Sequence, residues 1–296
     1  MVAPSGEQHE ISSGDYRAVV TQSGAALRSL THEGRDLVDG FGADEMSAGG
    51  RGQVLAPWPN RIRDGQYSFA GRDLQLPLTE PARHNASHGL VRWASFAVLE
   101  QADDAVRLGY RVPAQSGYPW TLDVSVRYAV GPDGLTVTTR ALNQSGSPAP
   151  FAAGHHPYLT AGAGPCDAWS LTLTAGTRVL ADPERKLPTG TEPVAGTAYD
   201  FADGRVIGDL VLDHAFGGWG GSAVLRGPEA AVELWADEAW GWVMVYTGDD
   251  NAEGTRRRSV ALEPMTAPAD AFNSGEGLRV LEPGEAFEAA WGIRRL

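Results

Sequence analysis

Four polar segments hold the residues whose types and spacing could do chemistry. The first is Pro57-Trp58-Pro59-Asn60-Arg61-Ile62-Arg63, followed by His84-Asn85-Ala86-Ser87-His88-Gly89-Leu90. Arg61 carries a planar fork of donors that suits a pair of neighbouring hydroxyls, although a lone arginine serves equally well in a surface ion pair. His88 stands before a glycine with apolar Leu90 and Val91 beyond it, a setting for a hydrogen-bonded structural histidine as much as for a reacting one. The second segment is Gly154-His155-His156-Pro157-Tyr158, where Pro157 biases His156 towards extended backbone. Histidine titrates nearest neutrality, so it can give a proton and take it back within one cycle. Adjacent histidines also suggest a metal, yet successive residues of a strand point to opposite faces, so His155 and His156 are poorly placed to share one ion.

The third segment, Ser259-Val260-Ala261-Leu262-Glu263-Pro264-Met265-Thr266, places a carboxylate at the end of an apolar strand. Alternation puts Glu263 on the face of Ala261 and away from Val260 and Leu262. Desolvation raises a glutamate's pKa towards what a general base needs, while an exposed strand-end carboxylate has no such property. The fourth candidate is Asp213 in Val211-Leu212-Asp213-His214-Ala215-Phe216, an acceptor for ligand hydroxyls or the cap of a turn. Tryptophans, among them Trp58, Trp235, Trp240 and Trp242, offer apolar platforms, most of them in the core. No glycine fingerprint for nucleotides, no phosphate loop and no nucleophile elbow is present. Histidines, an arginine and carboxylates without a cofactor signature point to proton transfer.

The elements that must position these residues are strands. The chain has 37 glycines and 19 prolines in 296 residues, set between short apolar runs at even spacing. Leu122, Val124, Val126 and Tyr128 alternate with polar neighbours, and Gly131-Pro132-Asp133-Gly134 turns the chain into Leu135–Arg140, which predicts a hairpin. A second hairpin is predicted across Tyr67-Ser68-Phe69, a turn at Ala70-Gly71-Arg72, and Leu74-Gln75-Leu76. Further strands are expected at Val106–Val112, Ser170–Thr174, Ala231–Trp235, Gly241–Thr247 and Ser259–Glu263, whereas helical spacing is not sustained. No linker or repeat divides the chain, so residues 1–296 are expected to form a single domain. So many strands need two packed sheets or a partly closed barrel, with a concave face on which side chains converge.

Composition narrows the partners. A net charge of -13, from 37 acidic and 24 basic residues, repels nucleic acid and anionic membrane alike. One cysteine, Cys166, allows no internal disulfide, the first residues lack a secretory pattern, and no apolar run is long enough to cross a bilayer. A cytoplasmic protein is expected, as a monomer or a homodimer.

Four stretches together resemble the aldose 1-epimerases, or galactose mutarotases. They are Pro59-Asn60-Arg61-Ile62 with Gly65-Gln66-Tyr67, Asn85-Ala86-Ser87-His88-Gly89, His156-Pro157-Tyr158, and Leu262-Glu263-Pro264-Met265-Thr266 with Ala271-Phe272-Asn273-Ser274 after it. The resemblance implies an all-β fold, a large antiparallel β-sandwich of the mutarotase supersandwich type with few short helices. It implies Glu263 as general base, His156 as general acid and His88 as a second histidine at the reacting end. Arg61 and Asp213 become substrate-binding residues, with Asn60 beside them, though the segment around Asp213 is the least regular match. The implied reaction interconverts the α and β anomers of a free hexose such as galactose or glucose, with no metal or other cofactor. Two alternatives stand beside it. One is a family relative acting on a modified sugar such as a hexose 6-phosphate, with Arg63, Arg83 and Arg92 as phosphate ligands, and the other a non-catalytic carbohydrate-binding protein. A glycoside hydrolase would need two carboxylates flanking the bond, and the matched set offers one glutamate and two histidines.

Overall fold

A computed structural model describes residues 2–296. Strands form where the alternation is cleanest. In Leu122–Gly131 every second side chain from Leu122 to Val130 is buried. Removing each of them from water contributes about 2 kcal/mol. Gly134–Asn143 returns in register, with Gly131 opposite Gly134, so Pro132 and Asp133 alone make the predicted turn. The second hairpin also forms, from Gln66–Phe69 and Arg72–Gln75. Its turn is one residue shorter than expected: Ala70 and Gly71, with φ of 50° and 74°, close it, and Arg72 already pairs with Phe69. Two left-handed residues match the twist of the flanking strands, so a third is not needed.

Among the described residues, two large sheets carry the fold. The nine-stranded sheet runs in the order Ala97–Gln101, Ala105–Val112, Leu122–Gly131, Gly134–Asn143, Ala286–Arg295, Ala231–Ala236, Ser222–Arg226, Ser170–Leu173 and Phe201–Val206. The eight-stranded sheet runs Pro188–Pro193, Thr177–Ala181, Asp213–Gly217, Trp242–Tyr246, Val260–Met265, Gly154–His155 and Val54–Leu55, with Tyr158–Leu159 also pairing to Val260–Met265. A four-stranded sheet of N-terminal residues packs on the Leu122–Gly131 strand. The strand pairs of both large sheets are antiparallel. The α-helix Ala271–Ser274 is short and docks Phe272 against Trp58 and Tyr67. Among the described residues, no helix is long and apolar enough to cross a membrane.

The two large sheets meet face to face through Trp169, Trp240, Trp291, Tyr128 and Phe216, all fully buried. Period-two geometry then gives the eight-stranded sheet a second face turned away from this core. Val243, Val245, Val260 and Leu262 point into the core, and Met244, Tyr246 and Glu263 point out of it. Register aligns Met244 with Glu263 and Asp213 with Tyr246, so four side chains from three strands share one patch. The strand does not end at Glu263 as expected. Pairing passes through Val243 opposite Pro264 to Trp242 opposite Met265, because a proline stops a strand only where its missing N–H is one the ladder needs. Glu263 is therefore mid-strand and only 3% exposed.

Candidate active site

The patch floors a cavity of about 290 Å³ whose walls come from the 49–50 turn, the 79–92 segment and the loop at 250–251. Glu263 and His156 meet there, with Glu263 Oε1 3.3 Å from His156 Nε2. Their other polar atoms, Glu263 Oε2 and His156 Nδ1, have no hydrogen-bond partner among the described residues. Burial pushes Glu263 well above the usual carboxylate range, helped by the nearby charge of Asp213 and opposed by Arg61 and Arg92. Burial, then the charge of Arg92, lowers His156 to about 3. Both shifts favour the uncharged forms, so the pair holds one proton between two groups that can each carry it.

His156 is held from three sides. Its N–H donates to the Gln53 carbonyl at 3.1 Å and its own carbonyl accepts from Gly52 N–H at 2.9 Å. The preceding turn lies against the ring: Gly50 has φ 79°, and a Cβ there would stand 2.7 Å from His156 Cδ2. Only glycine satisfies both constraints. Tyr158 stacks on the imidazole at 5.0 Å and 11°. The Arg51 guanidinium lies 4.3 Å from the Tyr158 ring centre and is paired to Asp39 at 3.2 Å. His88 meets the His156 ring edge-on at 5.6 Å.

His88 reaches this position through an unusual backbone. It sits at φ 61°, its N–H bound to the Asn60 carbonyl at 2.7 Å, with Asn60 itself at φ 51°. Asn60 Oδ1 accepts from Arg61 Nη1 at 3.1 Å. The rest of the Arg61 fork closes on Glu80, with Nε donating at 2.7 Å and Nη2 at 3.0 Å. A guanidinium has five N–H groups, so two remain for a ligand. Glu80 also takes Arg83 at 2.9 Å, which leaves Arg61 and Arg83 sharing one carboxylate. Asp213 lines the cavity and pairs with Lys186 Nζ at 3.0 Å.

The structure thus brings Glu263, His156, His88, Asn60, Arg61 and Asp213 to one cavity. It leaves other candidates elsewhere. His155 points into the inter-sheet core, bonded to Thr139 at 2.7 Å. His84 pairs with Asp64 on the surface, and His214 lies beside Arg178 at 2.9 Å. Arg63 turns to Asp270, away from the cavity, which removes it from the set of arginines that could meet a phosphate there. The aromatic lining is Tyr158 and Tyr246, while Trp58 and Trp240 are core and Trp242 packs beside Met244 and Met265.

Several lining residues carry no signal in the sequence for a role in the chemistry, among them Glu80 and Tyr246, and Arg92 stands out there only as one of three arginines. Arg92 differs from Arg61 and Arg83 in having no carboxylate partner among the described residues: its Nε donates to Gln53 Oε1 at 3.0 Å, and Gln53 Nε2 returns a bond to the Arg92 carbonyl at 2.9 Å. Strand alternation could have found Tyr246, two residues from Met244. Nothing local marks Glu80.

Comparison with known proteins agrees with this architecture. The aldose 1-epimerase family model matches residues 7–294. The chain is 34% identical to YihR, an uncharacterised protein of Escherichia coli strain K12, over 98% of this chain and 93% of that protein. An aldose epimerase homologue from C. elegans superposes with a TM-score of 0.85 at 20% identity, covering 98% of this chain and 99% of that one. The galactose 1-epimerase of Lactobacillus acidophilus NCFM gives 0.81 at 21% identity, covering 96% and 92%. The two solved structures share the all-β mutarotase fold, and the matched sequence family settles membership: the chain belongs to the aldose 1-epimerase family.

Proposed function

We propose that the protein is a mutarotase that interconverts the α and β anomers of a free hexose such as galactose or glucose, with Glu263 as base and His156 as acid. The observation that carries this reading is the contact between those two groups, 3.3 Å apart at the floor of a hexose-sized cavity and pushed in opposite directions by burial. A sugar that presents its anomeric hydroxyl to Glu263 and its ring oxygen to His156 bridges them. Glu263 takes the proton from O1, the C1–O5 bond breaks with its electrons going to O5, and His156 Nε2 protonates O5. Rotation about C1–C2 turns the other face of the aldehyde to O5. Closure then runs the transfers backwards, O5 attacking C1 as His156 recovers its proton and Glu263 returns one to O1.

The protonated carboxyl with neutral imidazole and the carboxylate with imidazolium contain the same number of protons. Entering the reactive form therefore needs a proton shift within the pair and no exchange with solvent. Holding one ring between both groups supplies the remaining advantage. His88, edge-on to His156, and Arg61 with Asp213 further along the floor are the proposed partners for the rest of the ring.

Polarimetry of freshly dissolved α-D-galactose and α-D-glucose tests the proposal. Accelerated approach to the anomeric equilibrium is expected, and the two rates rank the sugars. Absence of acceleration with both would overturn it. A second reading, a sugar carrying an anionic group, is favoured by Arg92, which faces the cavity without a carboxylate partner. Acceleration with a hexose 6-phosphate and none with the free sugars would select that reading.

A further inference from the structure

The chain builds its positive charge from arginine, with 23 arginines against one lysine, Lys186. That lysine lies between strands Thr177–Ala181 and Pro188–Pro193, and its Nζ is 3.0 Å from Asp213 Oδ2. Its backbone has φ 57°, a conformation where glycine or asparagine is usual and a long side chain is not. The loop holds it there. Asp182 accepts from the N–H groups of Glu184, Arg185 and Leu187, Arg185 reaches across to Asp64 and Asn85, and Leu187 is fully buried. With both neighbours anchored, the Lys186 side chain is presented to Asp213 by a fixed backbone. A side recess lined by Lys186, Asp213, Asn60, Arg61 and Met244 adjoins the main cavity, which the last four also line.

The use of lysine has a geometric reason. Where arginine meets a carboxylate nearby, as Arg61 meets Glu80, its fork occupies both oxygens. An ammonium is a compact charge that engages one oxygen. Lys186 engages Oδ2, and among the described residues no hydrogen bond reaches Oδ1 of Asp213. The pair therefore offers an acceptor and spare ammonium donors side by side, which is the complement of two adjacent hydroxyls. Asp213 and Glu263 stand on the same face two strands apart and two residues out of line, about 12 Å at the usual strand spacing and rise, so such hydroxyls belong to the end of the ring remote from C1.

We propose that Lys186 is a substrate-binding residue and that, with Asp213, it selects the sugar by two neighbouring hydroxyls distant from the anomeric carbon. This rests on the mutarotase reading of the site. The test pairs kinetics with a probe that needs no reaction. Lys186→Met and Lys186→Arg are each expected to raise KM about tenfold, the worth of a hydrogen bond to a charged group, with the loss in kcat/KM carried by KM. The arginine fails as well because its fork takes Oδ1. In the wild-type protein, acetylation of Lys186 by an N-hydroxysuccinimide ester, followed by mass spectrometry, is expected to slow several-fold in the presence of 1,5-anhydro-D-galactitol or 1,5-anhydro-D-glucitol. These compounds keep the distal hydroxyls and cannot open.

Unchanged KM in both variants, with no protection of Lys186, would overturn the inference in an enzyme that still mutarotates galactose or glucose. A loss carried by kcat, with the alkaline side of the pH profile displaced, would also overturn it, since Lys186 would then act only by offsetting the charge of Asp213 near Glu263. Protection of Lys186 in a protein that opens no free sugar would leave the binding role standing and remove the mutarotase reading instead.

Discussion

His155 and His156 are neighbours in sequence and face opposite sides of one sheet. Both are stripped of water, and burial holds both near a pKa of about 3. His155 lies against Trp240 and Trp291 in the core, and its Nε2 meets the hydroxyl of Thr139, which does not titrate near neutrality. His156 opens on the cavity, and its Nε2 meets Glu263, which does. A depressed pKa is thus common to a packing residue and a candidate catalyst. What separates them is a partner able to take the proton, and space beside the pair for a substrate.

The hardest way to break that comparison is to remove the partner. Glu263→Gln keeps the shape and deletes the proposed base, and mutarotation is expected to fall by roughly a thousandfold, within the range for general acid–base catalysis. His156→Asn should lose nearly as much. The double variant should be little worse than either single one, because the two groups act as a unit. Polarimetric rates at saturating galactose measure all three, with thermal unfolding to show that each variant is folded. Either single variant retaining a tenth of wild-type turnover would dismiss the pair as the proton-transfer machinery.

The same comparison shows what could be read from the chain. The opposed directions of His155 and His156 follow from strand alternation, as does the outward face of Glu263, and the hairpins announced by Gly131-Pro132-Asp133-Gly134 and Ala70-Gly71-Arg72 both form, the second with Arg72 already in its strand. Burial of Glu263 was not legible, because it depends on the strand continuing through Pro264 and on strands paired across long separations. Closure of the Arg61 fork on Glu80 was hidden for a related reason: the two residues meet through the pairing of Arg61–Arg63 with Asn85–Ser87 and the turn before it, which no local pattern encodes. Lys186 is conspicuous in composition alone, and its meaning needs the loop that delivers it to Asp213.

A smaller effect should appear on the other face. His155→Phe is expected to leave kcat/KM unchanged while lowering stability by about 1–3 kcal/mol, because the Thr139 hydroxyl is left buried without its partner. The variant also sharpens the pH argument. Between about 3 and 6.5 the unfolded chain binds a proton at this histidine that the folded chain does not. Its contribution is therefore complete above pH 6.5 and is lost as the pH falls, at about 1.4 kcal/mol per pH unit for one proton. Urea midpoints measured from pH 7 to 4 should decline less steeply in His155→Phe than in wild type. An identical slope would mean that His155 is protonated in the folded protein.

The finest distinction concerns how His156 is aimed, and Arg51 tests it. Arg51 does not itself line the cavity, yet it lies on the Tyr158 ring that does and that stacks on His156, and Asp39 fixes it from behind. Arg51→Gln keeps much of the bulk and removes a positive charge near the imidazole. With that charge gone, imidazolium forms more readily, so the acid side of the kcat profile should move to higher pH, while kcat at neutral pH drops roughly fivefold from looser stacking, about 1 kcal/mol. Arg51→Lys keeps the charge and loses the flat guanidinium, so its profile should stay in place and its kcat should fall between the two. KM should barely change in either, since neither removes a group that meets the sugar. A purely structural arginine would lower the unfolding temperature and leave the acid limb where it was. Movement of that limb in Arg51→Gln, and its return in Arg51→Lys, would identify charge as the way in which the sheet's outer layer sets the proton affinity of His156 and stacking as the way it aims the ring, a control that His155 lacks.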